Sequence, residues 1–230
     1  MDRRLRAIAA QIDDGKGFID VGTDHGYIPA ALAASGYAGN IYASDVNPMP
    51  LEAARATAAA SGVAERIGFL LCDGLDLCPA DKIDTVVIAG MGGDLICRIL
   101  DRAGWCFDSR YKLILQPMTK SEILRYWLVN NGFSISQEDL AQDGEQLYQI
   151  IIARFGGRTE LSDGELFAGK YALASDKSLY LRRLDKLTAR FERALSGMER
   201  SCDASAPRLG LTRGILKDLK EMRQCHDKCK

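Results

Sequence analysis

Apolar runs that stop at an acidic or glycine residue recur through the first part of the chain. GFIDVG, NIYASD, IGFLLCDG, IDTVVIAGMGG and YKLILQP each read as a short strand. Between them lie stretches of helical character: Ile28 to Ser35 closed by Gly36, PLEAARATAAASG, GDLICRILDRAG and SEILRYWLVNNGF. Leu5, Ile8 and Ile12 recur at helical spacing before the first strand, and Asp13-Asp14-Gly15 ends that segment. TVVIAG and KLILQ show no polar alternation, which suits strands covered on both faces. FSISQEDLAQDGEQLYQIIIARF reads as a hairpin around Asp143-Gly144. Strand–helix alternation closed by a hairpin predicts an α/β fold, a Rossmann-like doubly wound sheet with an antiparallel edge, over residues 1–157.

After Gly156-Gly157 the composition changes. Residues 1–157 hold 14 Lys and Arg against 20 Asp and Glu, a balance of −6; residues 158–230 hold 16 against 11, a balance of +5. Tyr180, Leu184, Leu187, Phe191, Ala194 and Met198 step by four and three, a heptad seam of core residues. Gly197, Pro207 and Gly210 interrupt it, and Leu216, Leu219, Met222 and Cys225 continue a second stripe. Two helices so joined predict an α-helical antiparallel coiled-coil domain over residues 158–230. Its outward arginines, Arg182, Arg183, Arg190 and Arg193, are the basic footprint that a phosphate backbone attracts. A solvated helical surface has the same composition, so charge alone does not identify a partner.

The first turn, DVGTDHGYIP, carries most of the chemistry. A dinucleotide loop would read G-x-G-x-x-G and would avoid carboxylates, because pyrophosphate must approach its backbone. Here Gly22 and Gly26 flank a bend that holds Asp24 and His25, with Asp20 just before it. An acidic glycine turn suits a ligand with a positive end and no phosphate, and S-adenosylmethionine is one. Asp45 ends the second strand, where a carboxylate can accept from ribose hydroxyls. Asp73 ends the third and can accept from an adenine amine, and Ala89-Gly90-Met91-Gly92-Gly93 forms a slender fourth turn. Successive strand ends of this kind face one crevice.

The ordered set DVGTDHGYIP, ASDVN with PLEAA, CDGL, VVIAGMGG and LILQP resembles the bacterial tRNA (adenine-22-N1)-methyltransferase family, from the first helix to about Phe155. Methyltransferases of the broader class often carry glycine where this chain has Asp24, which sets this family apart. The resemblance implies S-adenosylmethionine as cofactor, with contacts at Asp20, Gly22, Asp45, Asp73 and Gly74 and with Ala89 and Gly90 lining the site. It makes Asp24 and His25 the catalytic candidates and tRNA the partner. Asn47-Pro48-Met49-Pro50 departs from the family's pattern beside the ribose.

Adenine N1 carries an in-plane lone pair, so its methylation needs no prior deprotonation; the ring gains positive charge instead. A carboxylate beside the exocyclic amine, here Asp24, stabilises that charge as it develops. His25 either donates to the base or orients Asp24. Met91 and the segment Gln116-Pro117-Met118 are expected beside the target base, and Arg182, Arg183 and Arg190, with Arg3, Arg4 and Arg6 at the N-terminus, on the phosphates. Two other functions compete: methylation of a small molecule or protein, and a cofactor-binding RNA adaptor without turnover. The full set Asp20, Asp24, Asp45 and Asp73 argues against the adaptor.

Seven cysteines without a Cys-x-x-Cys pair read as reduced thiols. Cys225-His226-x-x-Cys229 with Cys202 imitates a zinc site but lacks a fourth ligand, so no metal is expected. No apolar run approaches the ~20 residues of a membrane span, and the N-terminus shows no secretory signal. A cytoplasmic monomer is expected, although the seam is satisfied equally by a hairpin or by a second chain.

Overall fold

In a computed structural model, residues 1–200 and 205–227 are described. The chain divides into two compact units, Met1–Thr159 and Glu160–Lys230.

The first unit is a seven-stranded sheet. Its strands are β1 (Phe18–Val21), β2 (Ile41–Asp45), β3 (Ile67–Leu71), β4 (Thr85–Gly92), β5 (Lys112–Thr119), β6 (Phe133–Asp143) and β7 (Gln146–Phe155). They lie in the order β3-β2-β1-β4-β5-β7-β6, with β1 to β5 mutually parallel and β7 antiparallel to both neighbours. Helix α1 (Arg3–Ala9) precedes β1, and α2 (Tyr27–Ala34), α3 (Pro48–Ala60), α4 (Gly93–Arg102) and α5 (Ser121–Asn130) lie in connections between strands. The apolar runs are buried end to end: Val86, Val87, Ile88, Leu113, Ile114, Leu115, Ile150 and Ile151 are inaccessible to solvent. That is how strands covered on both faces are expected to read.

The chain winds outward from β1 through β2 to β3, then returns to lay β4 on the other side of β1. Strand order therefore reverses between β1 and β4, and the crevice beyond their carboxyl ends is the usual ligand position of such a sheet. The hairpin turns at Gly144, where φ is +57°, and pairs Asp143 with Gln146. Its second strand, β7, is the one inserted beside β5, which leaves β6 as the edge.

One buried charge cluster ties α5 to the hairpin. Arg125 is fully buried, and its Nε and Nη2 donate to Glu138 Oε1 and Oε2 at 2.9 and 3.0 Å. Nη2 also donates to Gln149 Oε1 at 2.5 Å, and Gln149 Nε2 donates to Ser121 Oγ at 3.0 Å. A bidentate pair with satisfied neighbours is the form in which buried charge is tolerated.

The second unit holds α6 (Asp163–Ala168), α7 (Lys177–Arg200) and α8 (Ala206–Asp227). Ser162 and Glu165 cap α6 reciprocally, and Gly164 N donates to Asp218 Oδ2 on α8 at 2.6 Å. Ion pairs Asp185–Arg223, Glu192–Lys220 and Glu199–Arg213 join α7 to α8 in antiparallel register. Tyr180, Leu184 and Leu187 of α7 and Ile215, Leu216 and Leu219 of α8 are buried.

The sequence expectation needs two corrections here. Gly197 and Gly210 do not interrupt the helices but lie inside them. An interior glycine costs only about 1 kcal/mol, and Pro207 falls in the first turn, where its missing N–H has no intrahelical partner to lose. The seam is core only near α6: Ala194 and Cys225 are exposed, and Phe191 and Met198 are half-buried.

Candidate active site

The turn after β1 is fastened before it reaches solvent. Gly22 N and Thr23 N both donate to Ser44 O at the end of β2, at 2.8 and 3.0 Å, and Gly26 N donates to Thr23 O at 2.7 Å. Asp20 is buried, and Thr23 Oγ1 donates to its Oδ2 at 2.8 Å. Burial pushes the Asp20 carboxyl up from 3.8 to about 6, against the opposing pull of the Thr23 hydrogen bond and the Arg4 charge. Gly22 has φ +69°, and a Cβ there would lie 2.2 Å from Met91 Cε, so Met91 packs where a side chain would stand.

Asp24 follows with φ +36°, one of two non-glycine residues with positive φ among those described. Such a conformation costs about 1–3 kcal/mol and persists where surrounding structure imposes it. Its side chain is 76 % exposed, with Oδ1 3.9 Å from His25 Nε2. The His25 ring stacks on Tyr27 at a centroid distance of 5.3 Å.

The fourth turn is shaped by a bulge. Register slips between Ala89 and Met91 where β4 pairs with β5, and Gly90 sits in the slip with φ +81°. Its N–H donates to Gln116 Oε1 at 3.2 Å. A bulge beside a ligand crevice commonly re-aims the chain in this way. Gln116 is fully buried; its Oε1 also accepts from Arg4 Nη1 at 2.8 Å, and its Nε2 donates to Pro117 O at 3.0 Å. Arg4 reaches this place from α1, with Cζ 5.6 Å from the Tyr148 ring centroid.

Two depressions result. One, of about 340 Å³, is lined by Arg4, Asp20, Gly22, Thr23, Asp24, His25, Tyr27, Ala89, Gly90 and Met118, with Asp2, Leu5 and Ile28. The other, of about 510 Å³, is lined by Asn47, Pro48, Met49, Pro50 and Ala53, and again by Asp24 and His25. Asp24 and His25 are thus the wall common to both.

Asp20, Gly22, Asp24, His25, Ala89 and Gly90, all expected at one site, do meet in one cleft. Asp45 and Asp73 follow the strands on the β2–β3 side and line neither depression. Asp45 Oδ1 accepts from Asn47 N at 2.8 Å, and Asp73 Oδ2 pairs with Arg102 Nη1 at 2.5 Å. Gly74 has φ +61° and packs on Ile99. Met91 lies over Gly22, whereas Gln116 and Pro117 are buried beneath the cleft and Met118 is the residue that lines it. In the second unit Arg182 and Arg190 are exposed, with Arg190 over the Phe191 ring, and Arg183 Nη2 donates to Phe167 O at 2.7 Å.

Sequence reasoning gave Arg4 a surface part and passed over Thr23 and Tyr27; of the Gln116-Pro117-Met118 wall it expected, Met118 is the residue that lines the cleft. Tyr27 left a faint signal, as an aromatic beside the Asp-His step; Arg4 left none, because its partner is 112 residues away.

Chemically the cleft offers carboxylates at Asp20 and Asp24, one guanidinium at Arg4, and backbone at Gly22 and Gly90 that lacks side-chain bulk. That donor set fits S-adenosylmethionine, which presents an ammonium, a carboxylate and a sulfonium but no phosphate. Cys202, Cys229 and the His226 side chain, the residues of the imitated zinc site, lie outside the described residues.

The methyltransferase-domain family matches residues 1–151. The tRNA (adenine(22)-N(1))-methyltransferase of Bacillus subtilis is 28% identical over 188 residues, covering 80% of this chain and 79% of that protein. A putative tRNA methyltransferase of Mycoplasma genitalium is 30% identical over 156 residues, covering 66% and 69%. The crystal structure of a putative tRNA (m1A22) methyltransferase of Streptococcus pneumoniae superposes with TM-score 0.84 at 27% identity, covering 97% of this chain and 99% of that one. A structure of that methyltransferase in complex with S-adenosyl-L-methionine gives TM-score 0.80 at 29% identity, covering 97% and 99%. On these likenesses the chain belongs to the methyltransferase-domain family, among the tRNA (adenine-22-N1)-methyltransferases.

Proposed function

We propose that the chain methylates N1 of adenine 22 in tRNA, as a monomer in the cytoplasm, with S-adenosylmethionine as donor. The observation that carries the reading is Asp24: an exposed carboxylate held at φ +36° on the wall between two depressions, next to the buried Asp20. The cofactor supplies an electrophilic methyl group on a sulfonium. On transfer the S–CH3 bond breaks, the N1–CH3 bond forms, and the positive charge passes from sulfur to the adenine ring.

The residues divide the work. Asp20 faces the cofactor's amino-acid end, Gly22, Gly74, Ala89 and Gly90 meet it with backbone, and Asp45 and Asp73 accept from its ribose and adenine. Asp73 Oδ2 is fixed for this by Arg102. Asp24 places negative charge beside the exocyclic amine of the target base, where it is worth more in the transition state than in the ground state. His25 orients it, and Met91 packs on the base. Gln116 and Pro117 serve from below, Gln116 by holding Gly90 in place.

Adenine 22 must leave the tRNA stack to reach such a cleft, which costs a few kcal/mol. Phosphate contacts from Arg182, Arg183 and Arg190, and from the exposed Arg3 and Arg6, offset that cost. The monomer is supported by α8, which packs along α7 within one chain while Leu184 and Leu187 of the seam are buried. Among the described residues no helix is long and apolar enough to cross a membrane.

The test is nucleoside mass spectrometry of transcribed tRNA incubated with the protein and labelled S-adenosylmethionine. One labelled 1-methyladenosine per tRNA, lost when adenine 22 is replaced, is expected. A labelled nucleoside of another kind, or label in 1-methyladenosine at another position, overturns the assignment.

A further inference from the structure

We infer that Lys120, paired with Asp94 at the rim of the cleft, is a positioning residue that takes a backbone phosphate next to adenine 22 and so holds that nucleotide out of its stack. This rests on the tRNA reading above and adds to it a contact on the sheet unit itself.

Lys120 is the second non-glycine residue with positive φ among those described, at +56°, and it stands at the N-cap of α5 without making a side-chain cap. Three local preferences are broken there at once. A β-carbon disfavours the left-handed region, a helix start favours Ser, Thr, Asp or Asn, and the positive end of the helix dipole repels an ammonium. The backbone conformation itself is imposed. Lys120 O accepts from Ile123 N and Leu124 N at 3.1 and 3.3 Å, and it stands so close to Gly93 that a Cβ there has no room. Glycine or asparagine would meet that demand at less cost, so the backbone does not explain the lysine. Nor does its ion pair. Lys120 Nζ lies 2.8 Å from Asp94 Oδ2 with both side chains about half exposed, and such a pair returns less than the strain costs. Asp94 sits in the first turn of α4, where the dipole already favours a carboxylate.

The place of the lysine supplies the reason. Met118 of the same strand lines the cleft, and Thr119 pairs with Gly92 where β4 and β5 end. Asp94 Oδ1 folds back to within 2.8 Å of where a Cβ would stand on Gly92, so the ammonium on its other oxygen is held beside the fourth turn. Inside the cleft a phosphate is repelled by Asp2, Asp20 and Asp24, and residues 1–157 carry a balance of −6. A polyanion that delivers one base into such a cleft must therefore be met at the rim. Lys120 is a cation on the β5 side of that rim, and its weak pair with Asp94 is readily exchanged for a phosphate. Leu95, Ile123 and Tyr126, in the first turns of α4 and α5, are exposed beside it and give a displaced ribose or base an apolar surface.

Steady-state methylation of tRNA, with calorimetry on S-adenosylhomocysteine and urea unfolding, tests the clamp on wild type, Lys120→Gly, Lys120→Arg and Asp94→Asn. Lys120→Gly is expected to lower kcat/KM for tRNA about tenfold, the scale of one charge-assisted hydrogen bond, and to flatten its salt dependence by about 0.7–0.9 in log–log slope. It should bind S-adenosylhomocysteine within about twofold of wild type, as a site apart from the cofactor does, and unfold at no lower urea concentration. Lys120→Arg keeps the charge and should stay within about threefold of wild type. Asp94→Asn frees the ammonium and should lower KM for tRNA, the opposite sign to Lys120→Gly. A methylphosphonate linkage, which is uncharged, placed on one side or the other of adenine 22 locates the phosphate. One of the two should cost the wild type about tenfold and cost Lys120→Gly nothing further. Wild-type activity in Lys120→Gly, weakening by Asp94→Asn as well, or linkages that cost both proteins alike or neither overturns the clamp and leaves the methyltransferase reading intact. Absence of 1-methyladenosine from tRNA treated with the wild type overturns that reading itself.

Discussion

Thr23 Oγ1 donates to Asp20 Oδ2 at 2.8 Å, and this one side-chain hydrogen bond is too little to keep the buried carboxyl at its ordinary acidity. Burial raises it from 3.8 to about 6, so between those values the folded protein holds a proton that the unfolded chain has released. The Asp20 contribution to stability is therefore largest below about pH 4, falls as pH rises to about 6, and is flat above. Asp20→Asn removes the titration. Urea unfolding should show the variant gaining on wild type across that window, to at most about 3 kcal/mol at neutral pH by the standard conversion of such a shift. A difference between the two proteins that does not change with pH would refute this account.

If Asp20 meets the cofactor as proposed, the same carboxyl governs its binding. An ammonium is attracted to ionised Asp20 and not to its protonated form, so affinity should fall on the acid side of about 6. Calorimetry with S-adenosylhomocysteine should give a dissociation constant about tenfold larger at pH 5 than at pH 7.5, the slope expected of a single titrating group. Asp20→Asn should bind weakly at both values and lose the dependence.

Asp24 pairs strain with exposure. Glycine adopts φ +36° without penalty, so Asp24→Gly is expected to stabilise the protein by about 1 kcal/mol while lowering single-turnover methylation at least about a hundredfold. Binding of S-adenosylhomocysteine should stay within about threefold. Urea unfolding and rapid-quench assays on one preparation measure both effects. A variant that is more stable and equally active would reduce Asp24 to a turn residue.

Much of this was legible in the sequence because it is local. Asp20, Gly22, Asp24 and His25 stand within one turn. Parallel strand order then carries that turn to Ala89 and Gly90, since β4 returns beside β1. What stayed hidden is long-range. Neither the Arg4–Gln116 bond nor the commitment of Asp73 to Arg102 leaves a mark in the residues nearby. The hairpin was visible in its turn residues, but which of its strands joins β5 is decided by burial: Ile150, Ile151 and Ala153 of β7 are fully covered, whereas most positions of β6 are only half-buried or exposed. Gly197 and Gly210 misled because a glycine was read as a stop where packing carries the helix through.

Arg125 and Glu138 test how far the hairpin depends on buried charge. Arg125→Met leaves the Glu138 carboxylate buried without its bidentate partner, and a loss of about 3–5 kcal/mol is expected. Adding Glu138→Leu removes the stranded charge and should recover a large part of it. Urea unfolding of the wild type, both single variants and the double variant gives the coupling; a double variant as unstable as the sum of the single ones would mean that the pair acts through packing alone.

The basic helices make the last prediction. Arg182 and Arg190 are exposed on α7, whereas the Arg183 guanidinium reaches back to Phe167 O. If the exposed pair contacts phosphate, replacing both by glutamine should weaken tRNA binding and flatten its salt dependence by about 0.7–0.9 in log–log slope per lost contact. Calorimetry with S-adenosylhomocysteine should be unaffected, because that ligand depends on the sheet unit. Arg183→Gln should register chiefly as lower stability of the helical unit, since it severs a bond between α7 and α6. A double variant with unchanged salt slope would move the RNA-binding surface away from this face of α7 and onto Arg3 and Arg6.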